Sequence, residues 1–278
     1  MQMICAWKEL LGILPPWLAQ EVDKHGSEVL QELRLRLGVP PQLICKRNTL
    51  FLSREVTMND LNFCVNTASR YSPWAANSMA QGYITAPGGH RIGLCGEAVM
   101  TGGSMAGLRS IRSLCIRVAR DFPNIAGKYR GYTGSILIIG PPGSGKTTLL
   151  RDLIRQISEL EAVAVVDERG ELFPQGYFSQ GKALDVLTGC SKSVGIDVVL
   201  RTMGPATIAV DEITSEEDCN ALLRVGWCGV RLIATAHASC TRDLHCREIY
   251  KPLMRTKLFT HIFVLRRDKT LYEERMEP

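Results

Sequence analysis

The run Gly140-Pro141-Pro142-Gly143-Ser144-Gly145-Lys146-Thr147-Thr148 carries the plainest chemistry in the chain. It fits G-x-x-x-x-G-K-[ST], a loop whose glycines let backbone N–H groups curl round phosphates. A strand-like apolar run, Ser135–Ile139, precedes it and a helical pattern, Lys146–Glu159, follows. The start of that helix adds positive dipole at the same place. Lys146 is spaced to reach the β- and γ-phosphates and Thr147 to ligate Mg²⁺. The expected ligands are therefore ATP and Mg²⁺, held along Gly140–Thr148.

Hydrolysis would need more: a second hold on Mg²⁺, a group to orient or deprotonate water, and positive charge on the γ-phosphoryl. Three polar sites downstream suit these needs, each at the end of an apolar run that reads as a parallel strand, where open α/β sheets bind ligands. Ala162–Val166 ends in Asp167-Glu168, Thr207–Val210 in Asp211-Glu212, and Arg231–Ala236 in His237. Asp211 suits the Mg²⁺ shell, although a carboxylate there also caps a following helix. Glu168 and Glu212 are rival candidates for polarising the water. His237 is placed to sense the γ-phosphate or, alternatively, to satisfy a backbone carbonyl. No arginine follows these sites at a telling place, Arg201 excepted.

Arginines concentrate elsewhere. Between Gly88 and Arg130 stand Arg91, Arg109, Arg112, Arg117, Arg120, Lys128 and Arg130, against Glu97 and Asp121 alone. Such a stretch can serve nucleic acid, an acidic partner or a nucleotide. No recognition-helix or stacking-aromatic signature accompanies it, so no specific nucleic acid is expected.

Two textures divide the chain. Residues 1–120 read as a small α+β domain: helices over Ala6–Leu14, Trp17–His25, Thr57–Ser69 and Pro73–Ala80, with Thr57 or Asn59 as a cap. Its strands alternate at Leu33, Leu35 and Leu37, pair across Gln42–Cys45 and Leu50–Leu52 after a Pro40-Pro41 turn, and form a hairpin over Tyr83–Val99. A Gly-rich turn and a strand at Ser113–Ala119 follow. Residues 121–134, with Pro123, Gly127, Gly131 and Gly134, read as a linker. In 135–278, short apolar strands (Ile136–Ile139, Ala162–Val166, Thr207–Val210, Arg231–Thr235, Ile262–Leu265) alternate with helices (Lys146–Glu159, Ser193–Met203, Ser215–Val225, Thr241–Ile249). That alternation predicts a mainly parallel sheet buried on both faces.

Composition narrows the class. With 278 residues, 45% hydrophobic and 22% charged, and a net charge of +5, disorder, collagen and coiled-coil rods are excluded. No apolar run approaches the roughly 18–20 residues of a membrane span, and the first residues lack a basic region and cleavage site, so a cytoplasmic location is expected. The ten cysteines show no C-x-x-C pair and read as reduced thiols.

The ordered motifs resemble those of the type II and type IV secretion and pilus-retraction ATPases: Walker A, an acidic box at Ala162–Glu168, Walker B at Ile208–Glu212 and a His box at Ala234–Ala238. The resemblance is closer still to the stage III sporulation protein AA family. That family's pattern stands here as Gly88–Gly96, Leu108–Arg112, Ile116–Arg120, Gly140–Thr148, Val166–Glu171 and Ala209–Ile213. It implies an α/β fold, a P-loop NTPase domain of the RecA-like (ASCE) kind after a smaller α+β domain. It further implies a homo-oligomeric, hexameric ATPase with nucleotide between subunits, and Arg91 and Arg117 presented to it. Service to the mother cell–forespore channel, beside membrane proteins on the mother-cell side, is implied as well. One departure from the resemblance is expected: no C-terminal helical extension like that of the larger secretion ATPases after Leu265. The competing readings are an ATP-switched nucleic-acid-binding protein and a monomeric P-loop kinase, though no Arg-rich lid follows Walker B.

Overall fold

A computed structural model describes residues 3–69, 75–129, 131–174 and 177–275. Among these, contacts divide the chain into two compact units, one of Ile4–Asp121 with Pro174–Tyr177 and one holding Phe122–Phe173 and Phe178–Pro278.

In the unit of Ile4–Asp121 the elements run α1 (Trp7–Gly12), α2 (Pro16–Asp23), β1 (Leu30–Arg36), β2 (Val39–Cys45), β3 (Thr49–Phe51), α3 (Met58–Ser69), α4 (Ala75–Ala80), β4 (Tyr83–Thr85), β5 (Arg91–Thr101) and β6 (Ser104–Arg117). The strands form one antiparallel sheet in the order β3-β2-β1-β6-β5-β4. Its register lines up Leu43, Leu33, Ile116, Ile92 and Ile84 in one inward row, all of them fully buried. Each such side chain contributes about 1.5–3 kcal/mol on leaving water. Thr57 starts α3 as expected: its Oγ1 accepts from the Asp60 N–H, and the Asp60 carboxylate accepts from the Thr57 N–H. The first part of the helix expected from Pro73 lies outside the described residues.

Two expectations need correction here. Pro40 and Pro41 do not turn the chain but sit inside β2. They occupy the irregularity between the Arg34 and Arg36 pairings, where a missing N–H costs no ladder bond; the turn itself uses Gly38, with φ +72°. Strand β6 begins at Ser104, not Ser113, so β5 and β6 make one long hairpin. Its tip is Gly102-Gly103, with φ +57° and +82°, the two positive values a two-residue hairpin turn requires.

The other unit runs β7 (Ile136–Ile139), α5 (Lys146–Ile157), β8 (Val163–Asp167), β9 (Leu184–Thr188), α6 (Lys192–Thr202), β10 (Thr207–Val210), α7 (Glu216–Trp227), β11 (Arg231–Ala236), α8 (Thr241–Cys246), α9 (Lys251–Arg255), β12 (His261–Leu265) and β13 (Leu271–Arg275). The sheet order is β13-β12-β7-β11-β10-β8-β9, parallel throughout except for the edge strand β13. Every residue of β7, β8 and β10 is buried, as strands covered by helices on both faces must be. Strands β9 and β13 extend the sheet beyond the five expected. The helix expected over Thr241–Ile249 ends at Cys246, and α9 restarts with Pro252 near its first position.

The segment expected as a linker begins with several hydrogen bonds. Asp121 exchanges two backbone bonds with Ile4 at 2.9 Å. Further on, the N–H groups of Asn124 and Ala126 donate to the buried Asp152 carboxylate of α5 at 3.0 and 2.8 Å. Among the described residues no helix is long and apolar enough to cross a membrane.

Candidate nucleotide site

The loop after β7 enters α5 with Gly143 at φ +72° and Gly145 at φ +105°, turns that a side chain would strain. At Gly140 a Cβ would stand 2.5 Å from the Leu265 carbonyl oxygen, so the loop leaves the sheet only as glycine. Lys146 is 6% exposed, and its Nζ donates to the carbonyls of Gly140 (2.9 Å) and Pro141 (3.2 Å) and to His237 Nδ1 (3.0 Å). Because Nδ1 accepts from an ammonium, the ring proton sits on Nε2, which faces Glu212 Oε1 at 2.9 Å. Lys146 is thus hydrogen-bonded to His237, whose other ring nitrogen stands beside the Glu212 carboxylate. Burial pulls the Lys146 pKa below the ordinary lysine value, against the opposing pull of Glu212 and Asp211.

A second linkage runs beside it. Thr147 Oγ1 donates to Asp211 Oδ2 at 3.2 Å, and Thr235 Oγ1 to Asp211 Oδ1 at 3.0 Å. Sheet order explains the second bond: β11 lies between β7 and β10, so a hydroxyl on it reaches the carboxylate ending β10. The hydroxyl and carboxylate oxygens are hard donors of the kind Mg²⁺ takes, and Thr147 with Asp211 fits that ion. The loop also holds a buried hydroxyl, Ser144 Oγ, without a protein partner, while Pro142 and Gly143 are exposed and Thr148 is half-buried on the first turn of α5. Lys269, from the turn before β13, donates to the Gly143 carbonyl.

At the end of β8 the two acidic residues separate. Asp167 turns inward and accepts N–H bonds from Glu171 (3.0 Å), Leu172 (2.7 Å) and Phe173 (3.4 Å). Burial raises its pKa, and those three N–H groups partly offset the rise. Glu168 pairs instead with Lys192 Nζ at 2.6 Å, and the same ammonium lies 3.7 Å from Asp218 Oδ2.

Arg91 and Arg117 belong to the antiparallel unit, directly opposite each other on β5 and β6. Arg117 lies 3.6 Å from Glu32, and Arg91 stands 5.3 Å over the Tyr83 ring.

The structure therefore brings Lys146, Thr147, Asp211, Glu212 and His237 together, and sets Glu168 in a separate ion cluster. Sequence reasoning missed Thr235 and Lys192. Thr235 sits two residues before His237 in a strand otherwise apolar from Leu232 to Ala236, and that odd hydroxyl is the only signal; Lys192 offers none. Thr235→Val removes the hydroxyl at nearly equal volume. It should raise the Mg²⁺ concentration for half-maximal turnover about 10- to 100-fold, read from Mg²⁺ titrations, with little change in melting temperature.

A family model described as "Sporulation stage III, protein AA" matches residues 14–274. The stage III sporulation protein AA of Bacillus subtilis (strain 168) is 36% identical over 282 residues, covering 94% of this chain and 91% of that protein. Among solved structures, the Legionella pneumophila ATPase DotB matches with TM-score 0.60 and 17% identity, over 94% of this chain and 79% of that one. The pilus retraction motor PilT with bound ADP matches with TM-score 0.62 and 15% identity, over 94% and 82%. At such identity these likenesses establish the fold alone, the one that DotB and PilT share.

Proposed function

The chain belongs to the sporulation stage III, protein AA family, and from that premise we propose that it is an Mg²⁺-dependent ATPase. The observation that carries this reading is the joint linkage of the P-loop to the ends of β10 and β11: Lys146 to His237 and Glu212, Thr147 to Asp211. In the proposed cycle Lys146 exchanges its carbonyl partners for phosphate oxygens, and the N–H groups of the loop and of the start of α5 bind the rest. Thr147 and Asp211 hold Mg²⁺, with Thr235 fixing the orientation of Asp211. Bound there, Mg²⁺ supplies Lewis-acid polarisation of phosphoryl oxygens. Glu212 orients the attacking water and accepts its proton, while His237 links that carboxylate to Lys146. Glu168, paired with Lys192, stands outside the Lys146–His237–Glu212 group and is the lesser of the two rivals.

The active form in this reading is a homo-oligomer, hexameric as the family resemblance implies, in which a second copy presents Arg91 and Arg117 to the γ-phosphoryl. It works from the mother-cell cytoplasm on the membrane proteins of the mother cell–forespore channel. The placement of Arg91 and Arg117 opposite one another on adjacent strands supports a paired role for the two arginines. Arg91→Ala or Arg117→Ala should cut turnover about 10³-fold with ATP affinity nearly kept. Mixing either variant with Lys146→Ala should restore part of the activity if the groups act in trans. No restoration, with both variants assembling normally, would place the arginines outside the reaction. Chelating Mg²⁺ should stop turnover of the unmodified chain, and turnover that survives chelation would remove the Thr147–Asp211 assignment.

A further inference from the structure

The tip of the β5–β6 hairpin is built differently from the rest of its sheet. Strand β6 pairs with β1 only over Ser113–Arg117, and β5 with β4 only over Arg91–Gly93. From Glu97 to Arg109 the two strands are paired only with each other among the described residues. Leu108 still packs against the core, so the projecting part is Val99–Gly107, about 10 Å of ribbon at roughly 3.3 Å per residue. A two-stranded ribbon in water is marginal by itself.

This ribbon carries no charge between Ala98 and Leu108. Val99 is 38% exposed, Met100 59% and Met105 38%. Successive residues of a strand face opposite sides, so Val99 and Met100 put exposed apolar groups on both faces, and Met105 lies opposite Met100. Exposed strands ordinarily carry charges or prolines that discourage association; these carry methionine, valine, alanine and glycine, with only the hydroxyls of Thr101 and Ser104 beside the turn. Charge returns abruptly at the stem, where Arg109 pairs with Glu97 at 2.5 Å and Arg112 is exposed. Over the whole hairpin four arginines stand against one glutamate.

We propose that this hairpin tip inserts into the surface of an anionic lipid bilayer. A groove on a protein covers one face of a ribbon, whereas an uncharged tip with exposed apolar groups on both faces is satisfied by immersion. Its length matches the roughly 5–10 Å over which interfacial elements enter the headgroup and acyl boundary. The stem then lies at the depth of the phosphates, where Arg112 and Arg109 find anionic partners. The proposal is independent of the nucleotide reading and survives if no ATP is hydrolysed.

The test is flotation of the full chain with vesicles of equimolar phosphatidylglycerol and phosphatidylcholine, and with phosphatidylcholine alone. Binding to the anionic vesicles is expected, weakening as salt rises. The double variant Met100→Asp, Met105→Asp should lose affinity about tenfold or more. A Val99→Trp variant, which leaves the core untouched, should gain blue-shifted emission that brominated lipid quenches. Failure of the unmodified chain to float, or equal flotation by the aspartate variant, overturns the proposal. So does unchanged flotation with a loss of self-association in the aspartate variant, which would seat the tip on a second copy of the chain.

Discussion

A Glu212→Gln variant is expected to bind ATP as the unmodified chain does and to hydrolyse it about 10³-fold more slowly. Glutamine keeps the shape that faces His237 Nε2 at 2.9 Å but cannot take a proton from water. It also removes one of the two negative charges that sustain the buried Lys146 ammonium; bound phosphate replaces that support, so affinity survives. The companion Glu168→Gln breaks the 2.6 Å pair with Lys192 and leaves that ammonium with Asp218. Turnover should fall far less than in Glu212→Gln. Loss of hydrolysis in the Glu168 variant with full turnover in the Glu212 variant would exchange the two roles. Single-turnover hydrolysis measured beside fluorescent-nucleotide binding separates these outcomes.

Lys146→Ala should abolish nucleotide-dependent behaviour altogether, lowering turnover at least about 10³-fold and weakening binding as well. The buried ammonium costs desolvation in the empty site, and its removal leaves the Gly140 and Pro141 carbonyls without their donor. These effects oppose each other, so the ligand-free melting temperature should move little. The difference emerges on adding ATP and Mg²⁺. At 100 times the dissociation constant the unmodified chain gains about 2.7 kcal/mol of stability, whereas the variant should gain nothing. A full thermal shift in Lys146→Ala would mean that ATP binds elsewhere.

What the sequence disclosed, and what it did not, follows from the range of the interactions. The P-loop, Asp211, Glu212 and His237 are legible because each is a distinctive residue type set directly after an apolar strand, and local spacing decides their place. Thr235 offers only an odd hydroxyl in the sequence, because its role depends on β11 entering between β7 and β10, a matter of sheet order that no local pattern encodes. Lys192 meets Glu168 from across 24 residues, again through tertiary packing alone. Edge strands β9 and β13 escaped because one side of each meets solvent, giving Leu184–Thr188 and Leu271–Arg275 polar residues that read as loop. The hairpin tip reads as a turn in the sequence since Gly102, Gly103 and Gly107 interrupt the alternation that marks a half-buried strand, and Val99, Met100 and Met105 on that ribbon stay exposed. Residues 121–134 looked like a linker from their glycines, while the Asp152 carboxylate that holds Asn124 and Ala126 lies well down the chain.

The most direct test of the account is the steady-state ATPase rate per protomer, measured with Mg²⁺ across a wide range of protein concentration alongside the sedimentation profile. The account predicts a rate that rises cooperatively as oligomers form, because in the proposed oligomer Arg91 and Arg117 would reach the nucleotide from a second copy. A constant rate from a chain that stays monomeric throughout would contradict it, placing every reacting group within one molecule.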